Sequence, residues 1–236
     1  MAKDGVDENR LTKIIATPEM ISQEQAELDR LFMEAYQHYP TYAKRYLKIQ
    51  TMDGKKINYH FNEIQNILEE IVNDIENNTG FIRAFILKAR REGVSTYFTG
   101  RFFWKTANQK NRYSCLVTHE PEASDFLFKM QKRYHDNLPP EFKPQTKYNN
   151  TKMLEFNNKA GDGLDSAIRV GTAGKSDFGS AQLIHHLHLS EVSKWPAENQ
   201  SALLISLLQC VPKEEDTAVV YESTAKGIGG EFYNGF

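Results

Sequence analysis

Residues 81–108 read FIRAFILKARREGVSTYFTGRFFWKTAN, and the change of texture within them decides the fold. FIRAFIL (81–87) is a short apolar run of β-branched and aromatic residues, the pattern of a strand. It passes without a break into the basic stretch KARREGVST (88–96) and then into a helical stretch. Strand, basic loop and helix in that order form the context of a phosphate-binding loop. Backbone N–H groups and the positive end of the helix dipole hold a phosphate there, a lysine ammonium reaches the terminal oxygens, and a hydroxyl binds magnesium. Aligned on GxxxxGK[ST], Gly93 falls on the second glycine and Ser95 on the hydroxyl, but Lys88 stands at the first glycine and Val94 at the lysine. The ammonium is thus displaced to the head of the loop, from where its flexible four-carbon stem reaches the same phosphates. Arg90 and Arg91 add cationic donors, and Ala89, Glu92 and Thr96 complete the loop. Residues 83–112 hold eight Lys or Arg against one acid, Glu92. A solvated face has the same composition, but this one frames the loop.

On the N-terminal side, residues 1–21 are polar and without period. Ser22 is placed to cap a helix running to about His38, where Pro40 stops it. This is read as a helical arm. A turn follows at Asp53-Gly54, and then Ile64, Ile67, Leu68 and Ile71 recur at helical spacing in residues 62–77, a helix ending near Gly80. On the C-terminal side come a strand, YSCLVTH (113–119), a helix from about Glu122 to Asn137, and a Pro-rich bend at 138–144. Strands are expected at 152–156, 167–170, LIHHLHL (183–189) and TAVVYES (217–223), with a helix at about 200–211. Such alternation predicts an α/β fold with a mostly parallel central sheet covered on both faces, which takes ligands at the carboxyl ends of its strands. The organisation expected is an N-terminal helical extension over 1–55 and a P-loop core over 56–236.

The composition of the 236-residue chain, 40% hydrophobic and 25% charged, is that of a globular protein. Its net charge of -2 excludes a general attraction to polyanions, so any nucleic-acid contact has to come from a local basic patch. Cys115 and Cys210 lie in apolar runs without CxxC spacing and read as small buried hydrophobes in a reducing compartment. No apolar run approaches the roughly 18 residues of a membrane span. The first residues, MAKDGVDENR, have no signal-peptide core. A cytoplasmic protein without membrane association is expected.

A phosphate loop that hydrolyses needs an acid at the tip of a neighbouring strand. LIHHLHLSE supplies Glu191, two positions beyond the last apolar residue, open to two readings: a general base, or a cap for the following helix. The aspartate usual before that glutamate is Ser190 here, so magnesium is expected to rest on Ser95, water and Glu191. Of His185, His186 and His188, only the last two share a strand face, and no third ligand stands near, which argues against a metal site. The turn ESTAKGIGGEFY (222–233) has hydroxyls able to sense a γ-phosphate and glycines that let it move; an ordinary turn is the rival reading. Gln65 has an amide suited to an adenine edge, though glutamines on helix surfaces are common.

Taken in order, HFNEIQNIL (60–68), ILKARREGVST (86–96), HLHLSEVSKW (186–195) and ESTAKGIGGEFY (222–233) resemble the adenine motif, Walker A, Walker B and coupling motif of phage large terminase subunits. The resemblance spans about residues 56–236, and the lysine-first Walker A is its most specific part. It implies a three-layer P-loop ATPase of the additional-strand, catalytic-glutamate type that couples ATP hydrolysis to translocation of double-stranded DNA into a procapsid. By residue it implies Gln65 at the adenine, Lys88, Arg91 and Ser95 at the phosphates and magnesium, Glu191 activating water, and Ser223 and Thr224 coupling hydrolysis to movement. It also implies portal protein and small terminase subunit as partners, a homo-oligomeric ring on the procapsid with a monomer in isolation, and the host cell cytoplasm as the place of action. Two departures stand out. One is Ser190. The other is Phe178-Gly179, at the place where relatives carry an arginine finger, which leaves the finger missing, displaced to Arg169 or Lys175, or supplied from another chain. Nothing after Phe236 remains to form the nuclease domain usual in the family, so no nuclease activity is expected. Two alternatives remain at this stage: another nucleic-acid-stimulated P-loop ATPase, helicase-like, and a degenerate adaptor that does not hydrolyse.

Overall fold

A computed structural model describes residues 23–149, 152–158, 160–174, 183–227 and 229–235. Ser22, Lys175 and the Phe178-Gly179 pair lie outside them. The elements in chain order are α1 (Gln23–Gln37), α2 (Tyr39–Tyr46), β1 (Lys48–Gln50), β2 (Lys56–Asn58), α3 (Glu63–Thr79), β3 (Ile82–Leu87), α4 (Val94–Asn108), β4 (Tyr113–Thr118) and α5 (Pro121–Asp136). They continue with β5 (Tyr148–Asn149), β6 (Met153–Phe156), β7 (Ser166–Thr172), β8 (His186–Ser190), α6 (Gln200–Gln209), β9 (Ala218–Ser223) and α7 (Glu231–Gly235). Two 3-10 turns, Val192–Lys194 and Ala197–Asn199, join β8 to α6.

Among the described residues the central sheet has seven strands in the order β3-β9-β8-β4-β7-β6-β5. The run from β3 to β7 is parallel, and β6 and β5 extend it by antiparallel pairing. β9, last in sequence, lies between β3 and β8, so the strand leading into the basic loop and the strand ending before Glu191 are separated by one inserted strand. Because successive side chains alternate between faces, each buried parallel strand feeds two cores. Leu116, Ile168, Val170, Val220 and the α4 residues Phe98, Phe102 and Phe103 pack on one face. On the other, Cys115, Val117, Leu187, Leu189 and Val219 meet Leu204 and Leu207 of α6. The result is a three-layer α/β fold. No helix among the described residues is long and apolar enough to cross a membrane.

The N-terminal helices differ from expectation in one respect. Pro40 does not merely stop a helix. It occupies the first turn of α2, where its missing N–H costs nothing. Tyr39 and Tyr42 then join the same core as α4, with the Tyr39 hydroxyl donating to the Tyr97 carbonyl at 2.8 Å. A Cβ at position 100 would collide with that tyrosine, so Gly100 permits the close approach.

The first histidine of β8 is structural. His186 is buried against the Phe102 ring; its Nε2–H donates to the Asp216 carbonyl (3.1 Å), and its Nδ1 accepts from the Ser114 hydroxyl (3.0 Å). This is the neutral tautomer, and burial, helped by Lys105, His185 and Arg112, holds its pKa well below the usual 6.5. Above that value both folded and unfolded states are neutral. Below it the unfolded chain binds a proton that the folded one refuses, so stability falls by up to about 1.4 kcal/mol per pH unit for each such group. The expected outcome is a urea midpoint that declines between about pH 6.5 and 5.5, and a smaller decline for His186→Gln measured alongside.

Candidate active site

The loop between β3 and α4 is fastened from outside. α3 begins with a capping box: the Asn62 side chain accepts from Gln65 N–H at 2.9 Å, and Gln65 Oε1 accepts from Asn62 N–H at 3.0 Å. The same two side chains reach across to the loop, Asn62 Nδ2 donating to the Glu92 carbonyl (3.2 Å) and Gln65 Nε2 to the Gly93 carbonyl (2.8 Å). Gly93 has φ 78°, the left-handed region, and a Cβ there would strike Gln65. Arg91 has φ 66°. The loop therefore delivers its chain sharply into α4, whose first N–H groups face the site, and Tyr97 N–H bonds the Gly93 carbonyl at 2.9 Å.

Ala89, Arg90 and Arg91 are exposed, Glu92, Ser95 and Thr96 are half-buried, and Val94 is buried in the core. Lys88 turns inward. Its side chain is 11% exposed, and Nζ donates to Ser95 Oγ at 3.1 Å while lying 3.2 Å from Glu222 Oε2 and 3.4 Å from Glu191 Oε1. Lys88 N–H bonds the Ser223 carbonyl at 3.0 Å, which ties the loop to the tip of β9.

Glu191 sits just past β8 with φ 54° and ψ 44°, a backbone state costly for a non-glycine residue and concentrated at functional sites. Trp195 secures the turn by donating from Nε1 to the Ser190 carbonyl at 3.0 Å. Glu191 Oε2 accepts from the Thr224 hydroxyl (3.1 Å) and pairs with Lys194 (2.7 Å). Burial pushes this carboxyl up, but Lys194, Lys88 and Thr224 together outweigh it and leave the pKa below 4.5, so the group is ionised at neutral pH. The Ser223 hydroxyl bonds Ser193, accepting from its N–H at 3.1 Å. Ser223 and Thr224 thus touch the β8 turn directly.

Glu222 went unread in the sequence, and His188 was weighed there only as a metal ligand. Glu222 is fully buried; its Oε1 accepts from Ser190 Oγ (2.8 Å) and His188 Nε2–H (3.1 Å). Burial opposes its charge, yet His188 and Lys88 hold it down to about 2. The signal was there: a carboxylate in the otherwise apolar strand AVVYES requires a buried partner, and His188 lies two residues before Ser190, the register partner of Glu222.

Gln65 lies at the loop with one amide N–H and its oxygen engaged, which leaves a second N–H free for another acceptor. Arg169 is a β7 residue paired in register with Cys115 of β4. Among the described residues no group of three or more His, Cys, Asp or Glu is arranged to hold a metal ion by itself. The donors present, a serine hydroxyl and carboxylates, are nonetheless the hard oxygens that magnesium takes when phosphates and water complete its shell. An apolar cleft of about 330 Å³ between Phe85, Leu204, Ile205 and Tyr221 is lined by no lysine or arginine, so its chemistry does not suit a phosphate.

A basic loop after β3, a glutamate after β8 and one strand inserted between them belong to a three-layer α/β class of fold with a mostly parallel sheet. Within that class the chain has the fold of phage large terminase ATPase domains. Eighty per cent of it superposes on 37% of the large terminase of bacteriophage HK97, with a TM-score of 0.58 at 13% identity. A point mutant of the ATPase domain of the Thermus phage P74-26 large terminase matches 75% of the chain over 69% of its own length, with a TM-score of 0.51 at 14% identity. The chain spans little more than a third of the HK97 protein. No family profile and no curated protein sequence matches it.

Proposed function

We propose that this chain is the ATP-hydrolysing motor domain of a large terminase, using MgATP to translocate double-stranded DNA into a procapsid, and that residues Lys88 to Thr96 hold the triphosphate. The observation that carries the reading is the position of Lys88: the displaced ammonium is turned into a cluster of oxygens from Ser95, Glu191 and Glu222 rather than into solvent. From there its long stem reaches a phosphate held at the α4 N-terminus. Arg91, exposed beside it, adds charge, and Gln65 uses its spare N–H at the adenine.

Ser95 and the neighbouring carboxylates would hold magnesium, which would supply charge neutralisation at the phosphates. The chain does the rest. With Lys88 drawn to the phosphates, Glu191 Oε1 is released to accept a proton from water as its oxygen attacks the γ-phosphorus and the bond to the β–γ bridging oxygen breaks. Oε2 stays fixed by Thr224 and Lys194. Because Thr224 and Ser223 contact the Glu191 turn, loss of the γ-phosphate is passed to the 222–230 segment, the coupling role. Portal protein, small terminase subunit and a ring of like chains belong to the same proposal, as does action in the host cytoplasm.

The test is steady-state ATP hydrolysis with linear duplex DNA, single-stranded DNA and neither. Stimulation by the duplex is expected. Stimulation by single strands alone favours a helicase-like enzyme, and absence of any MgATP binding favours a non-hydrolysing adaptor.

A further inference from the structure

Position 190, at the tip of β8, carries a hydroxyl in place of a carboxylate, and its neighbour on β9 carries the carboxylate instead. Ser190 and Glu222 are register partners, and the Ser190 hydroxyl donates to Glu222 Oε1 at 2.8 Å. An aspartate at 190 would face Glu222 with like charge and disfavour both ions. The serine therefore both vacates the position and orients the group that replaces it. Oε1 is further held by His188, whereas Oε2, fully buried, accepts no hydrogen bond. What faces it is the Lys88 ammonium, 3.2 Å away, itself 3.1 Å from Ser95 Oγ and 3.4 Å from Glu191 Oε1. One cation is thus surrounded by three oxygens, from β9, α4 and the β8 turn.

When Lys88 moves to a triphosphate, Glu222 Oε2 loses its countercharge, and a buried carboxylate without one is strongly disfavoured. We propose that a divalent cation takes that place: Glu222 Oε2 and Ser95 Oγ are the protein ligands of the magnesium that accompanies the nucleotide, with Glu222 standing in for the carboxylate absent at 190. One carboxylate and one hydroxyl, with phosphate oxygens and water, are the hard oxygen donors that would suit magnesium. Lys88 is then a placeholder, seated in the metal position until nucleotide and metal arrive together. This rests on the nucleotide-binding reading above.

The test is calorimetric titration of ADP with magnesium or with EDTA, the readout being the ratio of the two Kd values. Wild-type protein is expected to bind about tenfold or more tightly with magnesium. Glu222→Gln loses that increment, and Ser190→Asp/Glu222→Gln, which returns a carboxylate to β8, regains a large part of it. An undiminished increment in Glu222→Gln overturns the proposal. Circular dichroism checks each variant; if Glu222→Gln does not fold, Glu222→Asp carries the test, because its shorter reach moves the oxygen off the metal and an unchanged ratio overturns the proposal equally. Wild-type protein that binds no ADP under either condition removes the nucleotide reading as well, whereas binding with an increment independent of Glu222 removes only this one.

Discussion

Glu191→Gln is expected to lower ATP turnover by a factor of about 10² to 10⁴, the range for loss of a positioned general base, while nucleotide binding persists. The glutamine keeps the shape of the carboxylate and can still accept from the Thr224 hydroxyl at the position of Oε2. It cannot take a proton from water. The charge of the pair with Lys194 is also lost, so circular dichroism accompanies the rate measurement to confirm that the variant stays folded. Single-turnover hydrolysis by the variant checks this, and turnover within a few-fold of wild type excludes Glu191 as the base. Separating binding from chemistry matters because the rival reading of Glu191, a cap for the turn that follows, predicts the reverse: a small change in stability and an intact rate. The structure gives Glu191 no capping hydrogen bond to the 192–194 turn.

Arg101→Ala is expected to cost about 3–5 kcal/mol of stability, the range for stranding the partner of a buried ion pair, and to lower Tm by roughly 6–20 °C for a chain of this size. The guanidinium is 2% exposed on α4 and is bound by α3 along two turns: Glu69 at 2.9 Å, Asn73 at 3.0 Å and Glu76 at 2.7 Å. Burial works against its charge, but Tyr97, Glu69 and Glu76 keep the pKa raised. Glu69 also accepts from the Tyr97 hydroxyl at 2.6 Å, so the pair is embedded in a satisfied network rather than left to Coulomb attraction alone. Removing the arginine leaves Glu69 buried without its countercharge. Replacing both, as Arg101→Leu/Glu69→Leu, is expected to recover part of the loss, which denaturant unfolding of the three variants measures. A single alanine variant as stable as wild type contradicts this picture. The clamp has a functional side, because α3 carries the Asn62 and Gln65 side chains that hold the loop carbonyls in front of α4.

Much of the fold was legible because local and tertiary signals agree around the loop. β3 and α4 fall where the textures changed, since Gly93, the one glycine of residues 88–96, takes the left-handed turn into the helix without a Cβ in the way. α3 ends at Gly80, as a helix followed by a left-handed glycine does. Short elements were hidden. β1 and β2 are three residues each, and only their Asp53-Gly54 turn has a sequence signature. The strand expected from 183 starts at His186, because its partners on β4 and β9 begin there. Of the site, the loop residues, Glu191, Ser223 and Thr224 were named from sequence, and their side chains or backbones lie together in the structure. Glu222 was passed over, because a search for an acid at the tip of one strand takes no account of the next strand's register, which only the sheet order supplies.

The central claim, that an ammonium moved to the head of the loop still serves the triphosphate, is tested most directly by calorimetric titration of a non-hydrolysable ATP analogue into wild-type and Lys88→Ala protein with magnesium present. One saturable site in the wild type, and none or a severely weakened one in the folded variant, is the predicted result. Equal affinity in the two proteins, or no heat of binding in the wild type, contradicts it.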